Sequence, residues 1–390
     1  MSHPILCIPV ILLTMIISSG NSNAQESPSK KKHTHVKTIS DIPHKTIWQK
    51  LMWIHRSMAL KITKEHPVNY DTAYIKSYYK RLVITLPVST RFLDFSLIDQ
   101  NSKKKVTFAP NLQYALGISV SSRWASFIVN TGVKLFNNDD DIKGKTWCRD
   151  YQLNLYGRKI TTDMFMQNYH GYYIKNTKSY NNYGSDQPYA IRSDVNALNM
   201  EVSSYYILNS KRFSYGNSFA FVEQQKKTAG SILIGLYYSY FEASGSPSLV
   251  TYPFRSSFDT SSFIRGVHMH NFGINVGYIY TLVFFKKCYA TASFVQGIGA
   301  RQVRYTRDDN TNHSQLVGGA DKLNVRLALG YDHGRYFIGT MEILDYYFLR
   351  GKLNPTFDYS FGKFMVYIGY RFSVLKKEHK LLHEMKLIDY

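Results

Sequence analysis

Residues 272–284 read FGINVGYIYTLVF, and their spacing decides the fold. Phe272, Ile274, Val276, Tyr278, Tyr280, Leu282 and Phe284 occupy every second position, with Gly273, Asn275, Gly277 and Thr281 between them. A strand points successive side chains to opposite faces, so this stretch has one greasy face and one small or polar face. A helix would instead need apolar residues three and four apart. Length separates the two β architectures that alternate in this way. Strands of soluble sandwiches typically run about five or six residues, whereas a tilted strand needs about nine to eleven to cross hydrocarbon. The run at 272–284 is long enough to cross.

The same pattern recurs on both sides of it. Leu112, Tyr114, Leu116, Ile118 and Val120 alternate with Gln113, Ala115, Gly117 and Ser119. Phe127, Val129, Val133 and Leu135 form the next face, and Ile232, Ile234, Leu236, Tyr238 and Tyr240 oppose Ser231, Gly235 and Ser239. Leu323, Val325, Leu327, Leu329 and Tyr331 follow, then Phe364, Val366, Ile368, Tyr370 and Phe372. Tyr clusters at the ends of these runs, as an interfacial girdle does. The chain holds 32 Tyr and 23 Phe at a mean hydropathy of only -0.28, the combination that alternating membrane strands produce. The reading is an all-β, antiparallel up-and-down transmembrane β-barrel of about 12 strands, over 67–375, with localisation in an outer membrane. No fixed-period repeat suggests a propeller or solenoid.

The N-terminus predicts export. Ile5–Ile17 is an apolar run too short for a permanent anchor, and a small-residue exit ends at Ala24, so 1–24 reads as a signal peptide although its first residues carry no Lys or Arg. Region 25–66 is basic. It opens with Lys30-Lys31-Lys32-His33 and leads to an amphipathic helix at 45–62, with Ile47, Leu51, Ile54 and Met58 on one stripe. That helix is read as a cap on the barrel in preference to a membrane-surface or pore-plugging element. A charged tail, 376–390, closes the chain. Of 3 cysteines, Cys148 and Cys288 lie in the barrel region, with no metal-ligand spacing and no disulfide framework. The formal net charge of +21 suits anionic lipid or lipopolysaccharide phosphate. Export and the lack of any nucleic-acid fingerprint set nucleic acid aside. Barrel-assembly machinery is the expected partner during insertion.

Connections fit the same plan. Asn209-Ser210-Lys211 and Asp332-His333-Gly334-Arg335 read as tight hairpin turns, and long polar loops are expected at 137–146, 175–192, 243–265 and 307–321. Tyr70-Asp71-Thr72-Ala73-Tyr74-Ile75, Phe108-Ala109-Pro110-Asn111 with Leu116-Gly117, and the closing Gly369-Tyr370-Arg371-Phe372 resemble a family of exported proteins of Bacteroidota-type bacteria catalogued as a domain of unknown function. The resemblance runs over about 66–375. It implies outer-membrane barrel character and supplies no activity, cofactor or catalytic residue.

The chain carries no nucleophile elbow, zinc helix, phosphate loop or paired-carboxylate motif, so no catalytic, cofactor or metal residues are assigned. His268 and His270, two apart on a strand, could share a metal, but a water-facing pair at a strand edge is the plainer reading. Polar residues within strands say more. Arg326, Asp332, Glu342, Asp345 and Arg371 are predicted to face the lumen, because a charge on the lipid face costs several kcal/mol near the midplane. They would either select a solute or, as we favour, form a salt-bridge network filling a narrow barrel. The function expected is a narrow channel or structural envelope barrel. The alternatives are an outer-membrane enzyme acting on lipid or lipopolysaccharide, and a barrel that binds partners through its long loops.

Overall fold

The computed structural model describes residues 69–78, 81–112, 114–122, 125–133, 139–180, 187–350 and 353–373. The proposed signal peptide, the basic region with its helix, and the tail beyond 375 lie outside the described residues. In chain order the strands are β1 (Ile75–Ser77), β2 (Arg81–Asp99), β3 (Lys104–Ala109), β4 (Tyr114–Ser122), β5 (Ala125–Val133), β6 (Trp147–Tyr156), β7 (Ile160–Ile174) and β8 (Ala190–Ile207). They continue as β9 (Glu223–Gln225), β10 (Ala229–Ser244), β11 (Ile264–Phe284), β12 (Cys288–Arg307), β13 (Asn312–Asp332), β14 (Tyr336–Leu349) and β15 (Thr356–Ser373). Two short helices, α1 (Asp140–Lys143) and α2 (Tyr215–Phe219), sit in connections.

Thirteen strands form one sheet that closes on itself through a β15–β2 pairing, while β1 and β9 pair separately. Strands β7–β8 and each neighbouring pair from β10 to β15 run antiparallel, as up-and-down neighbours require. The burial alternation is the one the sequence implies for a barrel in lipid. Leu236, Ile274, Phe294 and Ile368 are each more than half exposed, whereas Asn271, Asn275 and Thr281 are wholly buried. Along these strands the outward positions are apolar, while the interior mixes polar and charged side chains with buried aromatic and aliphatic ones. Tyr206, Tyr278, Tyr280, Tyr336 and Tyr370 are outward near one end of the barrel, and Tyr238 is outward nearer the middle.

The strand count depends on height. β3 and β4 are two halves of one partner of β2: Phe95 faces Phe108, Val88 faces Leu116, and the register slips by one residue between them. On the far side β4 continues into β5 and β6, but β3 pairs directly with β7 through Phe108–Ile174. One level of the ring therefore has twelve strands and the other ten. The junction is built from the Pro110-Asn111 break. Proline has no N–H to give a ladder. Asn111 replaces the lost pairing, donating its N–H to Thr146 Oγ1 (2.7 Å) and its Nδ2 to the Gly144 carbonyl (2.7 Å), and Thr146 Oγ1 donates to the Gly171 carbonyl (2.6 Å). Gly171 has φ +86°, and a Cβ there would lie 2.1 Å from the Lys145 carbonyl oxygen, so only glycine fits.

Both described termini, near Tyr70 and Ser373, lie at the end that carries the short links 123–124, 157–159, 285–287 and 333–335. We call it the near end. Asp332–Arg335 is a hairpin turn with Gly334 at φ +94°. Two expectations about connections are corrected. Residues 312–321, read as loop, are strand: β13 begins at Asn312, because Thr306 and Asn312 already pair across a four-residue link. Asn209–Lys211 is a turn but does not close a hairpin. It opens a 21-residue link, 208–228, between β8 and β10.

Candidate functional site: a plugged lumen

The link 208–228 folds into the barrel. Arg212 and Phe213 N–H groups both reach the Asn209 carbonyl, and the Ser214 side chain then caps α2 by accepting from Asn217 N–H (3.0 Å). Gln225 ties the link to itself, accepting from Ser214 N–H (2.8 Å) and donating to the Arg212 and Lys227 carbonyls (2.7 and 2.9 Å). All of α2 is buried, and so are Phe213, Ala220, Phe221 and Val222. An irregular segment can be buried only where its polar groups find partners, and here the barrel wall supplies them.

The partners come from opposite sides of the ring. Tyr156 on β6 donates to the Phe219 carbonyl (3.0 Å), and Ser218 bonds Thr291 on β12 (2.6 Å). Arg326 on β13 donates to the Tyr215 oxygen (2.6 Å) and pairs with Asp163 on β7 (2.7 Å), and Tyr215 O–H donates to the same carboxylate (3.1 Å). Burial holds the Tyr215 phenol well above its ordinary value, which keeps that proton in place. Arg371 grips Asp332 with two bonds of 2.8 Å and donates to the Phe221 carbonyl (2.8 Å), while Phe221 stacks on Phe337 at 4.7 Å. Arg158 pairs with Glu223 (2.8 Å), which also accepts from Ser214 Oγ (2.5 Å). The segment is pinned, not draped.

Beyond the plug, side chains fill the middle of the barrel. Lys322 bonds Glu201 and Ser203 and lies 3.0 Å from Asp345, which accepts from Asn324 (2.9 Å), itself an acceptor for Arg326. Arg91 pairs with Asp150 (2.9 Å), Lys363 donates to Gln152, and Arg301 donates to Asn271 (2.6 Å) and to the Phe357 carbonyl. Toward the far end an aromatic stack of Phe108, Phe95, Phe241 and Tyr359 takes over, with centroids 4.4–5.7 Å apart. The loop 245–263 closes that mouth. Arg192 donates to its Ser248 and Leu249 carbonyls (2.6 and 2.5 Å), Asp259 N–H reaches Asp99 (2.6 Å), and Phe254 packs edge-on against Tyr180. Among the described residues eight Arg or Lys and eight Asp or Glu are buried, so this set is electrically balanced and the formal +21 is carried outside it. Buried charges this close are tolerable only when paired and hydrogen-bonded.

Residues 69–372 match the family described as a domain of unknown function, DUF4421. The chain belongs to that family. No curated protein matches it. Among solved structures, the DUF4421 barrel is similar to the outer membrane protease OmpT from Escherichia coli, at 8% identity and a TM-score of 0.38, over 76% of this chain and 98% of that one. It is similar also to the P. putida toluene transporter TodX (8%, TM-score 0.28, 75% and 89% of the two chains) and to the translocator domain of the autotransporter NalP from Neisseria meningitidis (11%, TM-score 0.32, 84% and 99%).

In the DUF4421 barrel, Arg326, Asp332, Asp345 and Arg371 are all buried inside, and Arg326 and Arg371 are among the residues that hold the plug. Glu342 is a correction. It is exposed on the outer surface between Leu327 and Phe364, because Met341, Ile343 and Asp345 take the inward positions of β14. His268 and His270 lie on the outer face of β11, where their Nδ1 atoms bond Tyr240 (2.9 Å) and Tyr238 (2.8 Å). Sequence reasoning missed Asp163, Glu201, Arg301, Lys322 and the plug. The strand residues were discoverable by parity, since Glu201 stands between Met200 and Val202 as Lys322 stands beside Leu323.

Proposed function

We propose that this chain is an outer-membrane barrel whose resting state is closed: a structural envelope protein sealed by its own plug, not a constitutively open channel. The carrying observation is the segment 213–222, buried across the near end and bonded to β6, β7, β12, β13 and β15. Above it the charge network leaves no continuous row of one sign for a solute to follow, and loop 245–263 covers the other mouth. The outward apolar face supports a hydrocarbon environment. The short-turn end is taken as periplasmic and the end with the longer loops as external. Lipopolysaccharide around the external rim and insertion by barrel-assembly machinery belong to the same proposal.

Planar-bilayer recording of the purified, refolded protein tests it. The intact chain should show no conductance steps at moderate voltage. Replacement of 213–222 by a Gly/Ser segment of equal length should produce steps, in a protein that still shifts mobility on heating. Steady conductance from the intact chain refutes the closed state.

A further inference from the structure

We infer that the near-end rim of the barrel is a binding surface for the headgroup phosphates of an anionic phospholipid leaflet. The outward apolar run of β11 fixes the depth. From Phe272 to Phe284 it advances 12 residues, which at about 3.4 Å per residue and a tilt of about 40° rises about 30 Å, the height of a hydrocarbon core. The next residues, Phe285-Lys286-Lys287, therefore stand where headgroups begin. Phe285 is 87% exposed, and both lysines are exposed. The same pairing recurs at two other short links, where exposed Lys159 precedes outward Ile160 and exposed Arg335 precedes outward Tyr336. An apolar side chain beside a cation at a strand end suits an interface, the first lying at the acyl boundary and the second reaching for phosphate.

Position around the ring names the partner. Following the sheet through the near-end connections of β14–β13, β12–β11, β10–β8 and β7–β6, each carries an exposed cation: Arg335, then Lys286 and Lys287, then Lys211 and Lys227, then Lys159. Among the described residues no exposed Asp or Glu stands with them. The acids of that end are already engaged, Asp332 with Arg371, Glu223 with Arg158, and half-buried Asp71 at 3.9 Å from Arg212. The side chains of Lys159, Lys211, Lys286, Lys287 and Arg335 have no hydrogen-bond or ion-pair partner among the described residues. The far end is mixed: exposed Asp259 and Asp309 lie among its cations, and Arg255 is paired with Asp308 (2.5 Å). A protein docked on one flank would meet only part of such a ring, whereas a leaflet meets a barrel on every side at one depth. Anionic headgroups carry the complementary charge. The inference takes from the proposed function only which end faces the phospholipid leaflet, and it stands whether or not the plug opens.

The test uses the full chain refolded into phosphatidylcholine vesicles that contain a trace of spin-labelled lipid. Each cation at a leaflet surface is worth about a factor of five. Spin-labelled phosphatidylglycerol should therefore associate with the wild type about five- to tenfold more strongly than spin-labelled phosphatidylcholine, and about 1 M salt should abolish the preference. Lys159→Gln, Lys211→Gln, Lys286→Gln, Lys287→Gln and Arg335→Gln together should bring the ratio to about one in a protein that still shifts mobility on heating. The milder pair Lys286→Gln and Lys287→Gln should lower it part-way. Five substitutions toward the far end, Lys103→Gln, Lys104→Gln, Lys105→Gln, Lys145→Gln and Lys178→Gln, should leave it unchanged. A wild-type ratio of one, a preference that survives the near-end substitutions, or one that falls as much with the far-end set each overturns the inference. Unlabelled lipid A that displaces the label far more readily than unlabelled phosphatidylglycerol assigns the ring to lipopolysaccharide and overturns it too. Conductance from the intact chain refutes the closed state and leaves this ratio untouched.

Discussion

Replacing Arg326 by Met isolates the bond between plug and wall. Arg326 is 1% exposed, and its guanidinium touches three groups: Asp163 at 2.7 Å, the Tyr215 oxygen at 2.6 Å and Asn324 at 3.2 Å. Met keeps an apolar stem but removes the guanidinium, whose carbon lies 5.6 Å from the Phe219 ring centre, and leaves a buried carboxylate without its cation. Removing one partner of a buried pair costs about 3–5 kcal/mol. Asp163 keeps Asn154 Nδ2 at 2.8 Å and Tyr215 O–H at 3.1 Å, so the lower end, about 3 kcal/mol, applies. That is roughly a hundredfold in the folding equilibrium. Urea titration of the protein in vesicles, scored by heat-modifiable gel mobility, should show the loss. Asp163→Asn added to Arg326→Met removes the stranded charge and should recover about 1–2 kcal/mol, since contacting residues couple by that order. A loss below about 1 kcal/mol, or single-mutant effects that simply add, would refute a charge pair at the heart of the plug.

Two further outcomes test the geometry elsewhere. Ile274→Arg, at the middle of the outward face of β11, should destabilise the barrel by about 2–4 kcal/mol in the same titration, and a neutral result would move this position out of hydrocarbon. Arg371→Lys loses the two-pronged grip on Asp332, which an ammonium cannot reproduce. A Val222→Cys reporter in the plug should then react with a water-soluble maleimide about tenfold faster, as expected for a loss of about 1.4 kcal/mol in local closure.

The barrel was legible because its decisive variable is parity. Outward Ile274 and Val276 and inward Asn275 and Thr281 take the faces their alternation implies, because a slip by one residue would turn every apolar side chain of β11 away from lipid. The 12-to-10 narrowing was written in Pro110-Asn111, but only as a break; that β5 and β6 fill the gap is a long-range pairing with no local mark.

What stayed hidden has one cause. The plug has no period, because a buried irregular segment satisfies its backbone through side chains scattered over the wall, here Tyr156, Arg326 and Arg371. Yet it imposes an apolar demand on the inner wall. Phe337 faces inward because it packs on Phe221, and Met341 and Ile343 share that inner face. β14 therefore reads apolar on both faces: Phe337, Met341 and Ile343 inside, Tyr336, Ile338 and Leu344 outside. Parity then carries no information about Glu342, and the assumption that a charge must avoid lipid sends it to the wrong side. A strand that loses its alternation inside an otherwise alternating barrel is thus itself a signal that something apolar occupies the lumen beside it. Here that occupant is the sequence Phe213-Ser-Tyr-Gly-Asn-Ser-Phe-Ala-Phe-Val222, aromatic-rich and set in a connection where polar turn residues were expected.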